Sequence, residues 1–361
     1  MNIWRWNHLI SSVPTEAQIT LGEGDTPLLR SRRIGPSLGI PNLYFKLEST
    51  NPTGSYKDRF AFAAVSHMLA AGKTKCIATS SGNTGAALAA YCTAAGIDCR
   101  IVIVEGAPVG KLKQMMAYGA GIARIRAFGT DPDVTTQVFD ILQKLGSGND
   151  AAMQVSGFVF CPDGMSGVQT IAYELAEQSN GPIHHVFCPA GGGGLCVAMA
   201  RGFRQLRSSG QLAQMPAVEC VQPVGNNTIA GPLRDGLPKA QTVQCTTQIS
   251  GLQVASVVDG DLVIEECRDT GGTGHLVDDD FIWATQKRLA REEGIFTEPA
   301  GATSVAGAIQ AVRNGDVSTN ATIVCIVSGS GFKDEASIER MNSDVNCPVF
   351  PADEIPHWFT N

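Results

Sequence analysis

No run of basic residues, no stretch of about 18 consecutive apolar residues and no Cys-X-X-Cys pair occurs in this sequence, and each absence removes a class of function. Without a basic patch or aromatics interleaved with basic residues, and with a net charge of -7 and a pI near 5.4, no nucleic acid or other polyanion is expected as a partner. Without a long apolar run there is no helix to span a bilayer, and Met1 to His8 lacks the basic start and apolar core of a signal peptide, so no membrane association is expected. The eleven cysteines have no metal-ligand spacing to one another or to histidine, and Cys99, Cys188, Cys220 and Cys325 fall inside apolar, strand-like runs. They read as buried reduced thiols of a cytoplasmic protein, with neither disulfides nor a metal site expected. Charged residues are also sparse, at 17% against 43% hydrophobic, which for 361 residues describes a globular chain long enough for two domains.

What is present is an alternation. Short apolar runs at 43–47, 76–79, 100–104, 122–126, 185–188, 217–221 and 322–327 read as strands buried on both faces. Between them, helix-period stretches cover 58–71, 84–95, 111–118, 134–145, 168–178, 195–206, 280–292 and 302–313. Strand and helix in turn predict an α/β fold with mostly parallel sheets wrapped by helices. A glycine-containing junction at 155–167 separates two such series, and no repeat or long linker intervenes, so the two halves are expected to share a cleft.

Several motifs carry chemistry. In Asn51-Pro-Thr-Gly-Ser-Tyr-Lys57-Asp58-Arg59, a lysine follows a glycine turn at the mouth of a helix, where the helix dipole favours its neutral, nucleophilic form. Ser55 and Asp58 can also be read as a variant capping box, which leaves Lys57 merely solvated. Four glycine-marked turns are each read as following a strand, where ligands of open α/β sheets bind. Thr79-Ser80-Ser81-Gly82-Asn83-Thr84-Gly85 offers hydroxyls, an amide and helix N-terminal N–H groups to a carboxylate. Gly191-Gly192-Gly193-Gly194 lets backbone N–H groups curl around a phosphate without Cβ interference, and lacks the spacing of a P-loop or a dinucleotide fingerprint. Ser328-Gly329-Ser330-Gly331 presents a neutral hydroxyl suited to a ring nitrogen or, equally, a tight strand exit. In the fourth turn, Glu298 precedes Pro299 and Gly301 and alone reads as a charge favoured by a helix N-terminus.

A lysine amine, a phosphate nest, a carboxylate loop and a hydroxyl for a heterocyclic nitrogen are together what pyridoxal 5'-phosphate and its amino-acid adduct require. Over nearly the whole chain the sequence resembles the threonine synthase branch of the fold-type II, tryptophan synthase β-like, pyridoxal-phosphate enzymes. The opening Gly22-Glu-Gly-Asp-Thr-Pro-Leu28, the lysine motif 51–59, the asparagine loop 80–84, the glycine loop 191–194 and Ser328-Gly-Ser-Gly-Phe-Lys333-Asp334 carry that resemblance in order. It implies two three-layer domains with the cofactor between them: residues 1–57 plus 156–361 as a large cofactor-binding domain, and 58–155 as a small mobile substrate-binding one. It implies Lys57 as the Schiff-base lysine and catalytic base, and Asn83, Gly191, Gly192, Gly193, Gly194 and Ser328 as further cofactor contacts. Ser80, Ser81 and Thr84 become the substrate-carboxylate site. The implied partner is a small amino acid, the implied assembly a homodimer, and the implied reaction elimination or replacement at the β or γ carbon.

Substrate identity is less sharply drawn. Relatives acting on phosphohomoserine usually carry a basic residue in an Asn-Pro-Tyr-Arg-like segment, and here Phe160-Cys-Pro-Asp163-Gly-Met-Ser-Gly-Val-Gln-Thr170 has none. A phosphorylated side chain would lose charge-assisted bonds there. Lys111 and Lys113 are the candidates to compensate. The four-glycine loop and Glu298-Pro-Ala-Gly301 are dehydratase-like, which makes a short threonine or serine dehydratase the alternative enzyme. A binding protein without turnover is the alternative from another class.

Overall fold

The computed structural model describes residues 2–107 and 109–360, apart from the side chains of Lys111 and Thr360. Ten strands among these residues form two sheets. They are β1 (Leu28–Arg30), β2 (Leu43–Leu47), β3 (Lys75–Ala78), β4 (Asp98–Val104), β5 (Gly121–Ile125), β6 (Ala151–Gln154), β7 (His185–Pro189), β8 (Ala217–Pro223), β9 (Gly274–Val277) and β10 (Ile323–Val327). The larger sheet runs β1-β2-β10-β7-β8-β9 and the smaller β5-β4-β3-β6. Every pairing is parallel except that of β1 with β2, where Leu28 faces Lys46.

The apolar runs that predict strands form the sheet interiors and β5. β10, Ile-Val-Cys-Ile-Val, is buried at all five positions because helices cover both faces of the sheet. The strands that the sequence pattern does not reveal, β1, β6 and β9, are each three or four residues long and lie at sheet edges. An edge strand pairs on one side only and needs no continuous apolar run, so it leaves a weak periodic signal. The predicted helix at 168–178 is divided: a 3-10 turn, Gly167–Gln169, leads into the α-helix Thr170–Gln178, with the short helix Pro162–Ser166 before them. A helix at Gly260–Asp269 has no counterpart in the sequence reading. No helix among the described residues is long and apolar enough to cross a membrane.

The helix Lys57–Ala70 lies between the sheets. Its residues from Asp58 to Ser66 are all buried, which suits an element covered all round. Phe60 and Phe62 belong to one apolar cluster with Ile101 of the smaller sheet and Val186 and Val324 of the larger, so the sheets share a core. The segment 162–167 can press on this helix because Gly164 and Gly167 carry no side chain. A Cβ on Gly167 would stand 2.2 Å from the Arg59 carbonyl oxygen, and one on Gly164 would stand 2.7 Å from the Phe60 ring.

Below the first turn of that helix lies an ion cluster. Arg59 spans two carboxylates, Glu48 (Nε to Oε2, 2.7 Å) and Glu174 (Nη1 to Oε1, 2.7 Å), while Lys46 donates to Glu174 at 2.7 Å and to the Thr26 carbonyl at 2.8 Å. All four charged side chains are buried. Burial pushes the Glu174 carboxyl up, but the Arg59 and Lys46 charges outweigh it and hold it down at about 2. The opening motif serves this cluster: Asp25 N–H donates to Glu174, Thr26 donates to Glu48, and Gly24 N–H donates to Asn51.

Candidate functional site

Because β2, β3, β6, β7 and β10 run in register-matched parallel sets, the chain leaves each sheet in a consistent direction, and five exits line one cleft of about 1140 Å³. The turn after β2 carries Lys57, that after β3 carries Thr79 to Thr84, that after β6 carries Val155 and Ser156, that after β7 carries Gly191 to Gly194, and that after β10 carries Ser328. Every site residue expected from the sequence lines this cleft.

Lys57 opens its helix, yet burial rather than the helix dipole dominates its acidity. Desolvation lowers the ammonium pKa to about 8, against the partial opposition of Asp259 and Glu298. Its Nζ donates to Ser156 Oγ at 2.9 Å and lies 4.4 Å from the centre of the Tyr56 ring. Ser156 is in turn 2.9 Å from Thr84 Oγ1, so a hydroxyl relay joins the lysine to the Ser80–Thr84 loop. The Ser55–Asp58 capping box does not form. Asp58 instead accepts from Thr53 N–H (3.0 Å) and Thr53 Oγ1 (2.7 Å), which closes the Gly54 turn.

Three turns are stitched together to hold this lysine. Tyr56 N–H donates to the Ser328 carbonyl at 3.0 Å, and Ser330 N–H to that of Gly54 at 2.8 Å. Thr297 Oγ1 donates to the Gly329 carbonyl at 2.7 Å. The fourth glycine turn thus reaches the site by a route different from the expected one. It follows no strand but joins the helices Asp279–Glu293 and Pro299–Asn314, and bridges to the 328–331 turn through Thr297 and Ser330. Glu298 is buried and accepts from Asn83 Nδ2 at 2.9 Å, so the amide of the asparagine loop is oriented from across the cleft. The Ser328 hydroxyl has no protein partner among the described residues.

The glycine loop has the shape of an anion cradle. Gly193 has φ +96°, a conformation that side chains resist, and a Cβ there would meet Val263 at 2.4 Å; one on Gly194 would meet Met165 at 2.7 Å. Its N–H groups lead into the buried helix Gly194–Ser208, whose N-terminus adds the favourable end of a dipole. Asp259 N–H donates to the Gly192 carbonyl, and the Asp259 carboxylate accepts from Phe158 N–H (2.8 Å) and Val159 N–H (3.1 Å), fastening the 155–160 segment beside the loop.

Ser156, Asp259 and Lys333 are not singled out by the sequence reading. Lys333 lies within the quoted 328–334 motif, lines the cleft and donates to Gln114 Oε1 at 2.5 Å; a lone Ser156 gives no sequence signal at all. The segment at 160–170 brings no cation to the cleft, and Asp163 accepts from Ser11 at 2.6 Å outside it. Lys113 is exposed beside Glu335, at 3.8 Å, and the side chain of Lys111 lies outside the described residues.

The residues present fit a phosphorylated pyridine aldehyde. A lysine of lowered pKa, a glycine loop in which a Cβ at Gly193 or Gly194 would collide with its packing neighbours, and a buried hydroxyl without a protein partner among the described residues meet in one cleft. Comparison with known proteins gives the same answer. Residues 19–329 match the family described as pyridoxal-phosphate dependent enzyme. The chain is 31% identical to the threonine synthase of Methanosarcina acetivorans over 93% of this chain and 81% of that protein, and 31% identical to that of Mycobacterium leprae over 92% and 88%. In fold it is similar to threonine deaminase isoform 2 of Solanum lycopersicum, with a TM-score of 0.74 and 22% identity over 96% and 94% of the two chains. Maize serine racemase gives 0.71 and 24% over 91% and 94%. The match over most of its length, on a cleft built for that cofactor, shows that this chain belongs to the pyridoxal-phosphate dependent enzymes.

Proposed function

We propose that this enzyme removes the α-proton of a small α-amino acid and carries out β- or γ-elimination or replacement, with threonine synthase the best named activity. The observation that carries the proposal is Lys57: an amine of lowered pKa at the meeting point of the hydroxyl loop and the glycine loop, restrained by a neutral hydroxyl and not by a carboxylate. A salt-bridged lysine could not release its proton so readily.

The backbone N–H groups of Gly191 to Gly194 would bind the cofactor phosphate, Asn83 would face the ring's phenolic oxygen, and the Ser328 hydroxyl would meet its nitrogen. When bound, the pyridoxal ring supplies an electron-withdrawing group that acidifies the α-proton. Ser80, Ser81 and Thr84 would orient the substrate carboxylate, and Lys57 would take the α-proton at Nζ. Ser156 holds that Nζ between the loops. A neutral partner at the ring nitrogen favours elimination and replacement over transamination. We assign residues 1–57 with 156–361 to the cofactor domain and 58–155 to a mobile substrate domain, and expect a cytoplasmic homodimer, to be checked by light scattering.

Profiling the purified enzyme on amino acids for α-keto acid release, with phosphohomoserine in parallel for phosphate release, tests the reading. Activity on none of them overturns it. A dehydratase acting on threonine or serine is the second reading, favoured by the glycine loop and by a 160–170 segment that delivers no cation to the cleft. On that second reading phosphohomoserine shows a lower kcat/KM than threonine or serine, and the opposite order restores threonine synthase. The deficit corresponds to charge-assisted bonds of roughly 1.5–3 kcal/mol each.

A further inference from the structure

Away from the cleft, three thiols converge inside the smaller sheet. Cys76 on β3 and Cys99 on β4 are register partners on adjacent parallel strands, so their side chains leave the same face. Cys92, in the helix Asn83–Ala95 that packs on this face, supplies a third sulfur, and the three Sγ atoms all lie within 4.8 Å of one another. All three are buried, and no disulfide joins them. Cys76 and Cys99 sit near the amino-terminal ends of their strands, whereas the cleft lies beyond the carboxyl ends.

A thiol buried singly packs as a small apolar group. Three converging sulfurs are also a donor set. Around an ion with metal–sulfur bonds of about 2.3 Å, trigonal sulfurs stand roughly 4 Å apart, so closing on an ion asks each sulfur to move only about half an ångström. No histidine or carboxylate joins the group among the described residues, so the set is all sulfur and three-coordinate. Zinc in structural sites takes four ligands, while soft thiolates in a dry, low-coordinate setting select Cu(I). We propose that Cys76, Cys92 and Cys99 form a binding site for one thiophilic cation of the Cu(I) class, structural in role and separate from the active cleft.

The larger sheet provides a natural control. Cys188 and Cys220 are register partners in the same way, and Cys196 and Cys267 are buried in the same apolar cluster. Yet no three of those sulfurs converge to the same distance among the described residues.

Anaerobic titration of the holoenzyme with Cu(I) against a chromophoric Cu(I) chelator tests the site, with X-ray absorption to identify the ligands. One Cu(I) per chain in an all-sulfur shell is expected, with affinity at least tenfold weaker in Cys92→Ser and in Cys99→Ser and unchanged in Cys267→Ser. Failure to compete with the chelator, or equal uptake by Cys92→Ser and wild type, would overturn the proposal. Thermal unfolding of the wild-type protein needs no variant: stoichiometric Cu(I) should raise Tm by a few degrees, and an unchanged Tm overturns a structural role.

Discussion

Lys57 and Arg59 are two residues apart on the same helix turn and lead opposite lives. Arg59 points down into a cluster where two cations and two carboxylates neutralise one another and every charged group is paired at 2.7 to 2.8 Å. Lys57 points up into the cleft, where its partner is one serine hydroxyl. Both are desolvated. In the first case paired charges outweigh burial and the guanidinium pKa is raised; in the second burial prevails and the ammonium pKa falls. A buried charge that is fully compensated is scaffold, and one left undercompensated is available for proton transfer.

The sharpest way to break this comparison is to remove the two side chains in turn. Lys57→Ala should retain the fold, judged by circular dichroism, and lose turnover by about 10²–10⁴-fold or more, because only the proton carrier is deleted. Borohydride should leave pyridoxal phosphate covalently attached to the wild type and not to this variant; equal labelling of both would remove Lys57 from the chemistry. Arg59→Met should do the reverse. It leaves Glu48 buried without its cation and Glu174 with Lys46 alone, and urea unfolding should show a loss of roughly 3–5 kcal/mol. If the variant unfolds at the wild-type midpoint, the cluster is not a scaffold.

The same contrast has a pH signature. Glu174 has its pKa depressed to about 2 in the fold from an ordinary 4.5, so its contribution to stability is present above pH 4.5 and is lost as pH falls toward 2. Lys57, lowered to about 8 by burial from an ordinary 10.5, moves the other way: kcat should rise with pH through about 8 as the free amine forms, and stability should rise with pH from there toward 10.5, where the unfolded lysine still holds its proton and the folded one does not. Coincident acid loss of activity and of fold, with no limb near 8, would erase the distinction.

Smaller effects sharpen it further. Gly193→Val places a side chain at φ +96° against Val263, and should weaken cofactor retention on dialysis by about tenfold or more while leaving the Arg59 cluster intact. Retained colour would put the phosphate elsewhere. Ser156→Ala removes the hydroxyl that restrains Lys57, and a reduction in kcat of about tenfold is expected, with little change in KM or Tm. A purely structural serine would shift Tm and spare kcat.

The sequence by itself determined the strands of the sheet interiors, because a strand buried on both faces must be apolar throughout, as Ile323 to Val327 are. It determined the Lys57, Asn83, Gly191 to Gly194 and Ser328 turns, because an anion cradle and a constrained lysine turn each require particular residue types in a short stretch. Edge strands escaped it, since pairing on one side leaves little pattern to read. So did Ser156 and Asp259, which acquire meaning only when the exit of β6 is laid beside those of β3 and β7. Nor does spacing show that Arg59 is answered by Glu48 and Glu174, or that Cys76, Cys92 and Cys99 share one point in space. Those partners come from different elements, and the packing that gathers them is a property of the folded chain: distances across it are set by the shared core, not by separation along the backbone.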